Sequence, residues 1–176
     1  MNIIAGIAVA LKEASTNSFK NYSKQVIKNA KTLCQELKKY NFDIVNNETE
    51  SHLILINLQN KNIIGNLAAE ALESVNIVTN KNSIPFDPNP PFYPSGIRLG
   101  TPSITTRGLK EKEIKQIAKL INQTIDTISK EKQKQKISFP EEKKKEIRKQ
   151  LISNCKKDLE KIKKEILQIC KKFPIK

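Results

Sequence analysis

Five prolines, Pro85, Pro88, Pro90, Pro91 and Pro94, crowd one short stretch of this chain. Proline fixes φ and lowers the entropy cost of holding a segment in place. Residues 80–95, rich in Pro and Asn, therefore read as a stiffened loop, and the regular elements must be organised around it. Phe86, Phe92 and Tyr93 lie in the same stretch and could form a wall against a flat ligand; a rigid connecting loop is the plainer alternative.

On either side the hydrophobic spacing is periodic. Ile3, Ile4, Ile7, Ala8 and Leu11 give a helical pattern over residues 1–13. Phe19, Tyr22, Val26, Ala30, Leu33 and Leu37 recur at spacings of three and four, which predicts an amphipathic helix. Ser15, Thr16 and Ser18 are available as N-caps, and Tyr40-Asn41 ends it. Cys34 falls beside that stripe and reads as a small core residue. Short strands are expected at Phe42–Val45, Leu53–Ile56, Val75–Thr79 and Ile97–Gly100, with a short helix around Leu67–Leu72. Ile114, Ile117, Ala118, Ile121, Ile125 and Ile128 mark another helix. Residues 130–141 are charged, with Pro140 as a breaker, and a last helix runs from Ile147 to Phe173 before Pro174 stops it. This order fits an α+β fold, a small mostly antiparallel sheet with helices packed on one face.

The chain has 176 residues and no internal repeat, which suits one domain, or one domain with an extension. Its first segment has no basic leader, and Lys12 and Glu13 come early, so it reads as a helix rather than a secretory signal. No apolar run approaches the roughly 20 residues of a membrane span. Cys34, Cys155 and Cys170 form no metal-ligand cluster and cannot all pair, which favours a reducing, cytoplasmic setting and no metal.

The net charge of +14 invites a nucleic-acid reading. Yet only Arg98, Arg107 and Arg148 among the 32 cations are arginine, whereas a phosphate reader usually keeps its planar, bidentate guanidinium. The charge is also local. Residues 130–176 hold 17 Lys and Arg against 7 Asp and Glu, which reads as a solvated helix face. In a chain that writes its cations as lysine, two of the three arginines flank one short segment, at Arg98 and Arg107. A bidentate partner is expected there, either a ligand carboxylate or an internal acid, because an arginine buried in an apolar strand needs an anion. The lone histidine, His52, has no acid, cysteine or second histidine beside it and reads as structural.

Three strings carry a resemblance. Asn80-Lys81-Asn82-Ser83-Ile84-Pro85-Phe86-Asp87-Pro88, then Pro94-Ser95-Gly96-Ile97-Arg98-Leu99-Gly100-Thr101-Pro102, then Thr105-Thr106-Arg107-Gly108, are similar to the signature region of serine hydroxymethyltransferases. Ala8–Ala14, Asn29-Ala30-Lys31, His52–Leu55 and the tail Ile169–Pro174 also look like family segments. The resemblance implies the C-terminal part of a fold-type I, pyridoxal-phosphate enzyme. Such an enzyme is a homodimer or a dimer of dimers that passes the serine hydroxymethyl carbon to tetrahydrofolate, leaving glycine and 5,10-methylenetetrahydrofolate. By resemblance Arg98 grips the substrate carboxylate, Asn82 lies by the folate pterin, and Pro90, Pro91 and Phe92 border folate. Pro90 stands where bacterial members commonly have serine, so a hydroxyl is lost there.

The resemblance further implies a division of the chain. Residues 1–14 are the remnant of an interdomain helix, 15–129 the small domain, and 130–176 a lysine-rich helical extension of it. The preceding large domain carries the family's Schiff-base lysine motif, its pyridinium aspartate and its ring-stacking histidine. No segment of this sequence matches them, so no catalytic residue is assigned to the chain, and Met1 aligns with an interior position of the family. The expectation is a C-terminal fragment, inactive by itself, from a truncated or split gene or an incomplete gene model. The alternatives are a non-catalytic subunit that completes a separately encoded large domain, or, on charge alone, a basic nucleic-acid-binding protein.

Overall fold

The structure, a computed structural model, describes residues 1–175. Among them are eight helices and a four-stranded antiparallel sheet, which makes the fold α+β. Helix α1 spans Asn2–Ala14 and α2 spans Asn17–Lys39; strand β1 is Asp43–Ile44 and β2 is Leu53–Asn57. Helix α3 (Gly65–Ser74) precedes β3 (Asn80–Asn82) and β4 (Gly96–Gly100). Helices α4 (Pro102–Thr106), α5 (Glu111–Lys134), α6 (Phe139–Glu142), α7 (Lys145–Asn154) and α8 (Lys156–Lys172) complete the chain.

The strand order is β1-β2-β4-β3, and the side chains alternate with the pleat. Ile44, Ile54, Ile56, Ile97 and Leu99 point into one core with α2, α3, α5 and α8, while Leu53, Arg98 and Gly100 face the open side. The helices cover one face only, and the site described below lies on the other.

Helix α2 begins where Thr16 accepts the Phe19 amide, and ends at Asn41, which turns left-handed at φ 58°. One element departs from expectation. The strand expected at Val75–Thr79 lies slightly later, at Asn80–Asn82, because Val75 ends α3 and Asn76 turns left-handed. The first part of the proline-rich loop is therefore a paired strand, with Asn80 opposite Arg98 and Asn82 opposite Gly96.

The lysine-rich tail also differs from a loosely solvated face. Helix α5 continues to Lys134, and Leu151, Cys155, Leu159, Ile162, Ile166 and Ile169 are buried in the same core as the sheet. The expected last helix is broken at Cys155, which closes α7 and starts α8.

A buried charge cluster secures this tail. The Glu142 carboxylate, fully buried, accepts the Ile64 amide at 3.0 Å and the Lys132 amine at 2.6 Å. Arg148 donates to both oxygens of Glu70 and to the Glu142 and Lys143 carbonyls. The Lys132–Glu142 pair is dry, and such a pair is tolerated only when hydrogen bonds satisfy its remaining capacity, as they do here. Helix α1 is the opposite case. None of its side chains is buried, although Ile3, Ile4, Ile7, Val9 and Leu11 are all apolar.

Candidate functional site

Strand β4 carries Arg98 and is held at both ends. At its start, Gly65 lies so close that a Cβ there would run into the Gly96 carbonyl, and the Gly65 amide donates to the Pro94 carbonyl at 2.7 Å. The Leu58 amide donates to Ser95. At its end, the Thr101 hydroxyl donates to the Val26 carbonyl at 2.9 Å. Asn29, fully buried in α2, donates to Thr105 and to the Leu109 carbonyl and accepts from Gln25. Its amide is thus satisfied, and it fastens the segment after β4 to α2.

The proline-rich loop is closed by Asp87. Its carboxylate accepts the Ser95 hydroxyl at 2.6 Å, the Ser95 amide at 2.9 Å, and the amides of Asn89 and Ile84. Burial pushes the Asp87 carboxyl up, but these donors together hold it below its ordinary value of 3.8. Phe86 and Phe92 project into solvent rather than forming a wall, and Phe86 does so from a left-handed backbone, φ 54°. Tyr93 instead packs on the core, with the Lys143 amine over its ring. Pro90 and Pro91 are exposed; the Pro90 carbonyl accepts the Tyr93 amide, and the Phe92 carbonyl accepts the Lys81 amine.

Arg98 is not buried, contrary to what an arginine in an apolar strand implies. The pleat turns it outward between Ile97 and Leu99, so the desolvation that would demand a partner does not arise. None of the described ion pairs includes it. It shares with Asn82 an open depression of about 650 Å³, walled by Val45, Asn46, Thr49 and Ser51 and by Leu53 and Leu55. Glu48 and Glu50 stand in that wall.

Arg107 meets carbonyls rather than an acid. Its Nε donates to Phe173 at 2.6 Å and its Nη2 to Cys170 at 2.9 Å, at the C-terminal end of α8. His52 is exposed and contributes its carbonyl to Thr101. The hydrogen-bonding roles of Asp87 and Glu142 do not follow from the sequence pattern. Asp87 sits in an Asp-Pro-Asn string typical of turns, which was a usable signal. Glu142 lay among lysines with nothing to single it out.

A family model described as serine hydroxymethyltransferase matches residues 1–121. The chain belongs to the serine hydroxymethyltransferase family. It is 50% identical over 132 residues to the serine hydroxymethyltransferase of Methanosarcina barkeri, a match that takes in 75% of this chain and 32% of that protein. The chain thus spans about a third of the length of the serine hydroxymethyltransferase it matches. The matched family model ends inside α5, so the tail string Ile169–Pro174 lies beyond it.

The Arg98 depression does not by itself fit the pyridoxal phosphate used by serine hydroxymethyltransferases. That cofactor needs an uncommitted lysine amine in the cleft that holds it. No lysine lines the Arg98 depression among the described residues, and the buried Lys132 is committed to Glu142 and the Asn62 carbonyl. Nor is there a cluster of His, Cys, Asp and Glu able to hold a metal ion among the described residues. No helix among them is long and apolar enough to cross a membrane.

Proposed function

We propose that residues 1–176 are the part of a serine hydroxymethyltransferase that presents Arg98 to the substrate carboxylate, and that the cofactor chemistry belongs to a large domain outside these residues. In this reading the whole enzyme converts serine and tetrahydrofolate to glycine and 5,10-methylenetetrahydrofolate, in the cytoplasm. The chain alone does not turn over. Residues 15–129 form the small domain, 1–14 the interdomain helix and 130–176 the extension.

The observation that carries the reading is the state of Arg98. It is an exposed guanidinium without an acid partner among the described residues, on the helix-free face of a sheet whose strand is braced at both ends. A planar fork of N–H donors in that state suits a carboxylate brought to it from outside. Asn82, in the same depression, is the polar group nearest in role to a pterin contact, and Pro90, Pro91 and Phe92 lie along the neighbouring loop as folate-bordering positions. The chain's own contribution is binding and orientation. Arg98 fixes the carboxylate end of serine, and a large domain closing over the open face would exclude water there.

The uncovered apolar side chains of α1 support a partner of this kind. A helix apolar on all sides is ordinarily buried, and a large domain, on the same chain or another, would cover it. Dimerisation follows from the family in this reading. A purely nucleic-acid-binding role is not favoured, because the buried tail shows that part of the lysine-rich segment serves the core.

The test is direct. The isolated chain is incubated with pyridoxal phosphate, reduced with borohydride and mapped by mass spectrometry. Scattered partial adducts on surface lysines are expected. One stoichiometric adduct at a single lysine would refute the assignment of the cofactor to a separate domain.

A further inference from the structure

A second feature lies on the opposite face of the sheet from Arg98. Behind β4, between α4, α5 and α8, is a cavity of about 260 Å³, walled by Leu99, Ile104, Ile117, Ile121 and Ile166. The pocket is partly open to solvent, and Asn76 and Ser103 also line it, but most of its wall is aliphatic and favours an apolar occupant. Its size is below that of ordinary drug-sized pockets, so the occupant is small.

The wall has one charged group, Arg107. Its Nε and Nη2 donate to the Phe173 and Cys170 carbonyls, which leaves Nη1 without a partner among the described residues. No described ion pair supplies a carboxylate to it. Arg107 is half-buried and its Nη1 is not shut away from solvent, so an anion entering the pocket can pair with it in place of water. A dianion would carry a second charge into the isoleucine wall, whereas a neutral hydrocarbon would gain nothing from the guanidinium.

We propose that this cavity binds a small aliphatic monocarboxylate, with its alkyl chain among the Leu and Ile side chains and its carboxylate on Arg107. The proposal is independent of the assignment of Arg98.

The protein contains its own reporter. Cys170 lines the cavity and is only partly buried, whereas Cys34 and Cys155 are buried and burial pushes both thiols up to about 11. Alkylation of the full chain by iodoacetamide, followed by mass spectrometry, therefore reads Cys170. Octanoate is expected to slow that alkylation saturably, and butanoate through octanoate should bind roughly fourfold tighter per added methylene until the cavity fills. 1-Octanol should protect less than octanoate. In Arg107→Gln the advantage of octanoate over 1-octanol should vanish. In Ile117→Trp, at a half-buried wall position that admits a larger ring, protection should be lost while Cys170 still reacts. Labelling of Cys34 and Cys155 reports any loss of the fold. The proposal is overturned if octanoate leaves the Cys170 rate unchanged in the folded chain. It is equally overturned if protection survives Ile117→Trp, or if octanoate keeps its full advantage in Arg107→Gln.

Discussion

Three arginines in a lysine-dominated chain have three different fates. Arg148 is committed to Glu70 and two carbonyls, Arg107 braces the end of α8, and Arg98 has no ion-pair partner among the described residues. The scarcity of arginine in the sequence was a sound reason to look at each, but it could not rank them, since partners come from distant segments. Arg98 and Asn82 sit in one depression because β3 and β4 pair, which the motif strings alone did not reveal.

The Asp-Pro-Asn string marks a turn at Asp87 but not its role as a clasp, because its donors are presented only once the loop closes. Asp87→Asn should cost about 2 kcal/mol, the scale of hydrogen bonds to a charged group. The sign of its pH dependence follows from the lowered folded-state value. The Asp87 contribution is fully present above the ordinary 3.8 and is lost as pH falls through the folded value below it. The stability gap between wild type and Asp87→Asn, from urea melts at several pH values, should therefore be constant near neutrality and shrink only on acidification below about 4. A gap that widens on acidification would contradict the clasp.

At the scale of elements, the long helices were legible because their apolar stripes are unbroken, as in Ile114–Ile128. The sheet was less so. Strand β3 is a polar Asn-Lys-Asn string on the edge, and no alternation of apolar residues marks it. The break at Cys155 has neither Pro nor Gly behind it and follows from packing the tail back on the core. Helix α6 had a sequence mark, the Ser138…Glu141 capping pair, in a stretch that read only as charged.

The joint between the tail and α3 rests on Glu142. Glu142→Gln leaves Lys132 buried without its counter-charge and should cost about 3–5 kcal/mol. Replacing both partners, Lys132→Met with Glu142→Leu, should recover much of that loss. Denaturant midpoints of the three chains check this, and a single variant as stable as wild type would show that the pair is not buried in solution.

Helix α1 is the element least supported by its own chain. Burying a Leu or Ile side chain contributes about 1.5–3 kcal/mol, and here Ile3, Ile4, Ile7 and Leu11 forgo it. Amide exchange in dilute solution should find α1 fast and α2 and α5 slow. Slow, concentration-independent exchange across residues 3–11 of a monomer would show that α1 needs no partner.

For the molecule as a whole, the family and the α+β class were readable from motif strings and periodicity, because both are local in sequence. What could not be read is how the tail joins the core and what covers the open sheet face and α1, since these depend on surfaces meeting in space. Among the described residues the chain is a family module with a braced strand, an Arg98 outside every ion pair and no lysine in the Arg98 depression. Its central claim is therefore about Arg98. The decisive measurement joins this chain to the preceding large domain of the Methanosarcina barkeri relative and compares serine turnover with Arg98 intact and with Arg98→Lys. A lysine cannot reproduce the bidentate grip on a carboxylate, so the fusion with Arg98 should be active and Arg98→Lys should lose turnover by several kcal/mol, about a thousandfold or more. An active fusion whose Arg98→Lys form keeps a near-normal rate and KM for serine would contradict the account.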